Sequence, residues 1–396
     1  MKKQDRLHFG IDILDSEKVA LFYSKLINQE TDHIFHSAQY VDSAYLKNSL
    51  FLIDDVPNYL ESEVVSNGAD IKIKKINTYE GSLINLRNYG NLDSYLKQEI
   101  SPQRRSALKR CQNRLDLCIK PEYQIYYGQI TRAEYDSVFE SYKRLLTRRL
   151  AQKESYWEEL DYWEERYQIT FDLINKKKAC VLVIYNGKDP ISIYINSICK
   201  NTLEIDVVTY DIDYSKFKLG FLALTKVIEW AIENKFDLID MSKGDFYYKE
   251  RFRNKVYTFQ KHIIYDAKNM AILVKSNYLA FKLSLMYKLL PILKNWKINK
   301  FYRAYVYNRK KSLFKGYSNE YSVERDNSLE ISLPEDAELI QLDNDKYSFL
   351  KKTFMDYLFL SFEYIHDVSI YKSQNGVESY FFIGKNKKEK VIVKRN

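Results

Sequence analysis

The sequence predicts an α+β (mixed α/β) protein, in which helices flank a mixed, mostly antiparallel central sheet. A basic helical segment and a small C-terminal α+β region are appended. Three observations predict it. Apolar residues make up 45% of the chain and aromatic residues 15%, enough to build packed cores. Apolar positions recur at helical spacing between residues 92 and 178, and the period then changes to that of strands between 180 and 210. A glycine-bearing helix start and one more strand follow, which is the order of a β-α-β unit.

A chain of 396 residues exceeds one core of ordinary size, so several domains are expected, with boundaries near 120, 270 and 318. No apolar run reaches the roughly 18 residues of a membrane-spanning helix. The start, "MKKQDRLHFGIDILDSEK", interrupts its apolar stretch with charge and does not read as a secretory signal. Cys111, Cys118, Cys180 and Cys199 form no CxxC pair and no histidine cluster accompanies them, so neither a metal site nor a disulfide framework is expected. A reducing cytoplasm fits this usage best.

Along the first hundred residues, short apolar runs such as "SLFLIDDV" and "ADIKIKKIN" alternate with helix-like stretches such as residues 16–29. Ser101-Pro102 reads as an N-cap followed by proline at the first helical position, predicting a helix from Pro102 to about Leu117. Its polar side carries Arg104, Arg105, Lys109, Arg110 and Arg114, either a solvated face or an anion-facing one. Helical spacing continues to about Lys178, with Tyr156, Leu160, Trp163, Tyr167 and Phe171 on one stripe of core type. Residues 180–185, 191–199 and 203–210 then read as three strands joined by turns at Asn186-Gly187 and Lys200-Asn201, an antiparallel meander. A helix with Leu222, Val227, Ile228, Trp230 and Ala231 inward follows, then strands at 236–241 and 257–266.

The net charge of +9 is localised. Between Ala267 and Asn319 there are twelve lysines and arginines and no acidic residue, which leaves the rest of the chain at 9 − 12 = −3. Three readings fit this segment, read as a helix pair broken at Pro291: helices packed on the preceding lobe, contact with an anionic membrane surface, or contact with a polyanion. No DNA- or RNA-binding motif accompanies it. The last part combines a helix-like stretch at 346–365 with a hairpin at 377–395.

Two stretches carry polar residues in a pattern suited to chemistry. In "DIDYSKFKLGF", Lys216, Lys218 and Gly220 stand at a helix start, where unpaired backbone N–H groups favour phosphate. In "FDLIDMSKGDFYYKERF", a strand runs directly into charged residues around Gly244. Together with "SPQRRSALKR" and "GKDPISIYI", these segments resemble GNAT acyltransferases of the BioF2-like or CelD-like type, relatives of the FemAB peptidyltransferases. Asp211, Tyr214, Gly220, Asp240, Gly244, Tyr248 and Lys249 stand where that family's pattern falls, and the resemblance spans about 92–266. The GNAT pyrophosphate signature is reduced here to Gly220.

The resemblance implies tandem GNAT-like lobes, the first in residues 1–120 and the second, acyltransferase lobe in 121–270. Acetyl-CoA or another acyl-CoA would enter a split between the strands 203–210 and 236–241, with its pyrophosphate at Lys216, Phe217, Lys218, Leu219, Gly220 and Phe221. Backbone N–H groups there would polarise the thioester carbonyl without a nucleophilic side chain. Tyr248 or Tyr247 would be the acid, and Asp206, Asp240 and Asp245 are the candidate bases. Lys249, Arg251, Tyr214 and Lys243 make up the expected substrate-binding set, with Lys249 and Arg251 suited to an anionic acceptor. The expected reaction is N-acylation of a small amine such as a nucleotide-linked amino sugar for cell-surface polysaccharide. The alternatives are aminoacyl transfer from charged tRNA, with the basic segment as platform, and a non-catalytic binding protein on the same scaffold.

Overall fold

The computed structural model describes residues 6–14, 18–244, 246–295, 298–316, 321–326, 331–342, 345–374 and 378–395. They fall into two compact units, each discontinuous in sequence: residues 1–90, 199–204 and 231–301, and residues 91–198, 205–230 and 302–396. The contiguous boundaries expected near 120 and 270 differ from this division. The physical reason is strand pairing between segments far apart in the chain.

In the first unit the strand Lys255–Asp266 lies antiparallel between Leu50–Pro57 and Ile71–Asn85. Arg6–His8 adds in parallel outside Leu50–Pro57. On the other side, Leu238–Lys243 runs antiparallel to Ile71–Asn85, and Thr202–Glu204 pairs in parallel with Leu238–Asp240. A smaller three-stranded sheet orders His33–Ser37, Lys25–Asn28 and Leu60–Glu63. Residues 16–29, expected as helix-like, are helical only over Val19–Phe22 among the described residues, because Lys25–Asn28 is extended by pairing on both sides. Ser16 and Glu17 lie outside the described residues.

The inner strand Lys255–Asp266 alternates at its start, with Tyr257 and Phe259 buried between more exposed neighbours, and is buried on both faces from Lys261 to Asp266. Phe22, Tyr23, Leu26, Ile53, Val56, Tyr257, Phe259 and Ile264 form one core. Leu50, Leu52, Ile76, Ile263, Tyr265 and Leu283 form another, under the helix Met270–Asn295. That helix continues through Pro291, where a break was expected. His262 is fully buried: the Tyr23 hydroxyl lies 3.0 Å from its Nδ1, and Gln260 Oε1 lies 3.2 Å from its Nε2. Gln260 is oriented in turn by donating to Asn77 at 2.9 Å.

The second unit carries the expected meander. Glu122–Tyr126, Ala179–Asn186 and Asp189–Cys199 pair antiparallel, and residues 205–210 continue the next strand. Gly187 at φ +57° and Lys200 at φ +55° make the tight connections between them. Proline at the first helical position opens the helix Pro102–Cys118 after Ser101, as expected. Thr131 and Glu134 form a capping box that opens Arg132–Gln152. Tyr135, Phe139, Tyr142, Leu146, Val181, Val183, Ile193 and Ile195 form this unit's core, and Tyr156, Trp163, Tyr167 and Phe171 pack against it, as the aromatic stripe predicts. A second, five-stranded sheet contains the C-terminal hairpin, with Ser379–Ile383 antiparallel to Lys388–Arg395, and the helix Lys351–Ser361 belongs to the same unit.

Burial, reinforced by the charge of Lys75, depresses the His262 imidazole to about 3, from about 6.5 in an unfolded chain. A base depressed on folding binds protons better when unfolded, so its contribution to stability is lost as pH falls below about 6.5. The expected loss is about 1.4 kcal/mol per pH unit, or ~2 kcal/mol between pH 6.5 and 5. Urea unfolding of the native protein and His262→Gln across that window checks this: the stability difference should move in the variant's favour by that amount, and a pH-independent difference counts against a neutral buried imidazole.

Candidate active site

The strand Leu238–Lys243 leaves its partner irregularly. Asp240 is opposite Leu83 and Lys243 opposite Gly81, a register shift, and Ser242 takes the left-handed conformation at φ +58°. A non-glycine residue there costs roughly 1–2 kcal/mol. Its N–H donates to Asp240 Oδ1 at 2.7 Å, which holds the turn. Asp240, 4% exposed, also accepts from the Tyr59 hydroxyl at 2.9 Å and from Tyr257, whose hydroxyl lies 2.7 and 2.8 Å from its two oxygens. Tyr257 reaches it by lying across Gly81, where an added Cβ would stand 2.2 Å from the ring.

Burial pushes the Asp240 carboxyl above its ordinary range, against the pull of Tyr257, Ser242, Tyr59 and Lys249. Burial and the neighbouring Asp240 also raise both tyrosine hydroxyls, so they remain protonated donors. A carboxylate raised in this way exchanges a proton closer to neutral pH than an exposed one.

The exit from the strand is built by Gly244 at φ +110° and the short helix Tyr247–Phe252. Lys249 turns inward, 4% exposed, and its Nζ donates to the carbonyls of Ser242 at 3.1 Å and Lys243 at 2.7 Å. Its charge therefore serves the turn under Asp240 rather than an open surface. Arg251 lies 3.5 Å over the exposed Tyr247 ring, and the half-buried Tyr248 stacks on Phe246. Lys243 reaches Asp55 at 2.7 Å, and His8 Nε2 lies 3.2 Å from the same carboxylate oxygen. Burial alone would raise Asp55, but these two partners hold it well below the usual carboxylate range. Asp245 lies outside the described residues.

Other expected site residues belong to the second unit. Asp206 accepts from Ser197 Oγ at 3.1 Å and lies 3.4 Å from Arg166, whose Nη2 donates to Glu159 at 3.0 Å. Tyr214 is buried, and its hydroxyl accepts from Asn186 at 2.9 Å, so the ring is a packed one and not an open substrate contact. The helix Leu219–Glu233 starts after Lys218, which is exposed and left-handed at φ +56°. Gly220 fits closely: a Cβ would meet the Tyr210 ring at 3.0 Å, and the Gly220 carbonyl accepts from Tyr194 at 2.5 Å. Phe217 is buried against Phe359, and Lys216 lies 3.4 Å from Asp356.

Just upstream, Arg148 donates to Asp211 at 2.8 Å and to both oxygens of Asp213 at 2.7 and 2.8 Å, while Lys351 reaches Asp211 at 3.1 Å. Asp211 also accepts from the Asp213 N–H at 3.0 Å, which starts the turn leading to the loop. Burial would raise Asp211, but Lys351 and Arg148 hold it low; Asp213 is pushed up by burial and by Asp211.

The structure thus brings Asp240, Lys243 and Tyr247 to Arg251 together at one strand exit, and Tyr214 together with Lys216 to Phe221 around another turn. Asp206 stands in a separate ion-paired cluster. Sequence reasoning missed Tyr59, Tyr257 and Gly81 around Asp240, and Arg148 and Lys351 around Asp211. Only the basic pair in "LTRRL", set between the core leucines Leu146 and Leu150, signalled any of them. Among the described residues no group of histidine, cysteine and acidic side chains is arranged to hold a metal ion.

Residues 102–250 match the family model described as an acetyltransferase (GNAT) domain, and that segment carries the loop at Gly220 and the strand exit at Asp240. No curated protein matches the chain. Solved structures similar to it include FemX, at 10% identity over 55% of this chain and 72% of that one, with a TM-score of 0.39. L-PGS from Bacillus licheniformis aligns at 11% identity over 61% and 74% of the two chains, with a TM-score of 0.35. The PaiA N-acetyltransferase from Thermoplasma acidophilum, in complex with coenzyme A, aligns at 15% identity over 29% and 75%, with a TM-score of 0.25.

Tyr257→Phe and Tyr59→Phe are each expected to cost about 1–3 kcal/mol, and their effects should be non-additive because both hydroxyls serve one buried carboxylate. Gly81→Ala should destabilise by at least ~1 kcal/mol by displacing the Tyr257 ring. Denaturant midpoints measure all three, and a neutral Gly81→Ala contradicts the close approach.

Proposed function

We propose that the protein is an acyl-CoA-dependent N-acyltransferase acting on the amine of a small anionic acceptor, such as a nucleotide-linked amino sugar used for cell-surface polysaccharide. The observation that carries this reading is the GNAT family match over 102–250, which spans both chemically suited turns. Acyl-CoA is the co-substrate. The N–H groups of Leu219 and Gly220 lie in the first helical turn, where no intrahelical acceptor precedes them, and Lys218 is exposed beside them. These groups suit a pyrophosphate. Lys216 adds charge, and buried Phe217 and the close packing of Gly220 hold the loop in place.

The amine attacks the thioester carbonyl carbon, the C–S bond breaks, and the thiolate leaves with a proton. Tyr248 is the proposed acid for that thiolate. Asp240 is the preferred base because burial raises it; Asp245 is proposed near the acceptor amine. Asp206, already ion-paired, is less suited to take a proton. Arg251 and Lys243 are proposed to face the anionic acceptor, with Lys249 positioning the turn.

Calorimetry with acetyl-CoA and a thiol-release assay with amino-sugar nucleotides test the reading. Replacing Lys216 and Lys218 by alanine should weaken acyl-CoA binding at least about tenfold, the loss of one charge-assisted contact. Tyr248→Phe should keep binding but lower turnover by about 100-fold or more. Absence of any acyl-CoA binding by the native protein overturns the proposal.

A further inference from the structure

The helix Met270–Asn295 is apolar on two opposite sides. Ile272, Leu273, Leu279, Leu283 and Tyr287 pack onto the first unit's sheet, and Lys74 pins the same side by donating to Ser276 and Asn277 at 2.9 and 2.5 Å. On the opposite side Met270, Val274, Tyr278, Phe281, Leu285 and Leu289, spaced by three or four residues, are each 44–68% exposed. An uncovered stripe of this size marks a contact surface.

We infer that this stripe docks onto the surface of an anionic lipid bilayer, with the helix lying in the plane of the interface. Charge decides the occupant. Lys275 and Lys282 are exposed along one flank of the stripe and Lys288 along the other, and no acidic residue occurs from 267 to 319. A second copy docked face to face would set these lysines against their own counterparts with no acid from the segment between them. A nucleic acid would leave the aliphatic stripe bare. A bilayer of anionic lipid takes both parts, the apolar side chains below the headgroups and the lysines among the phosphates. No described helix is long and apolar enough to cross a membrane, so the geometry is that of a surface helix.

Co-sedimentation of the full chain with phosphatidylcholine vesicles, with and without about one phosphatidylglycerol in three, tests this. Binding is expected to the anionic vesicles and to weaken with salt. Lys275→Gln, Lys282→Gln and Lys288→Gln combined should lower partitioning roughly 100-fold, at about 1 kcal/mol per lysine near an anionic surface. Tyr278→Ser, Phe281→Ser and Leu285→Ser combined should abolish binding. All six side chains are exposed, so unchanged urea midpoints will certify folding of both variants. Failure of the native protein to bind anionic vesicles overturns the inference. So does vesicle binding that survives the serine variant, and so does self-association in free solution that the serine variant abolishes. None of these outcomes depends on acyl-CoA binding, so they leave the proposed reaction to its own test.

Discussion

The ladder between Ile71–Asn85 and Lys255–Asp266 is the constraint on which the first unit depends. Its pairing runs from Lys255 opposite Leu83 to Asp266 opposite Ile71, joining segments some 170–195 positions apart. Closing a loop of that length before the pairing rewards it is entropically costly, so the ladder needs burial on both faces to hold. The two cores supply it, one around Tyr23 and Ile53, the other under the helix Met270–Asn295. The same register sets the chemistry. It puts Tyr257 opposite Gly81, and only the missing side chain at 81 lets the ring cross the strand and reach Asp240. A shift of one residue would turn Tyr257 to the other face and strip the carboxylate of a donor.

The second unit solves a different problem by ion pairing. Two carboxylates two residues apart, Asp211 and Asp213, are buried at the turn that leads to the Gly220 loop. Buried like charges repel, and a single missing cation would leave one of them uncompensated at a cost of several kcal/mol. Arg148 meets both with its planar fork, and Lys351 adds a second positive charge to Asp211. Lys351 comes from the C-terminal region, read from sequence as an appendage of no assigned role. Its ammonium gives that region a part in holding the turn that precedes the loop.

Local signals were legible and distant ones were not. Ser101-Pro102 and the Asn186-Gly187 turn each act within a few residues, and each element they announce is present. The strand Ile71–Asn85 read only as a short apolar run because Lys72, Lys75, Asn77 and Glu80 stand exposed along it, and its partner lies far along the chain. Tyr59 and Tyr257 could not be joined to Asp240 for the same reason. Lys249 misled in the opposite sense: a lysine after a strand looks like a surface anion contact, yet it is buried by the carbonyls of Ser242 and Lys243. Those carbonyls are exposed to it by the left-handed turn at Ser242, and a serine in that conformation leaves no trace in periodicity.

The charged exit after Leu238–Lys243 therefore has a layered cause. A strand that continued in register past Asp240 would alternate its side chains and need no charge at its end. The shift before Lys243 interrupts the ladder and turns carbonyl groups away from strand partners. Each must then find a donor, and an inward lysine six and seven residues later reaches two of them at once. That lysine also places a positive charge near the buried Asp240, one of the groups that oppose the upward pull of burial on its carboxyl. The same residues thus end the strand and tune the carboxylate. In this stretch backbone satisfaction and proton chemistry cannot be altered separately.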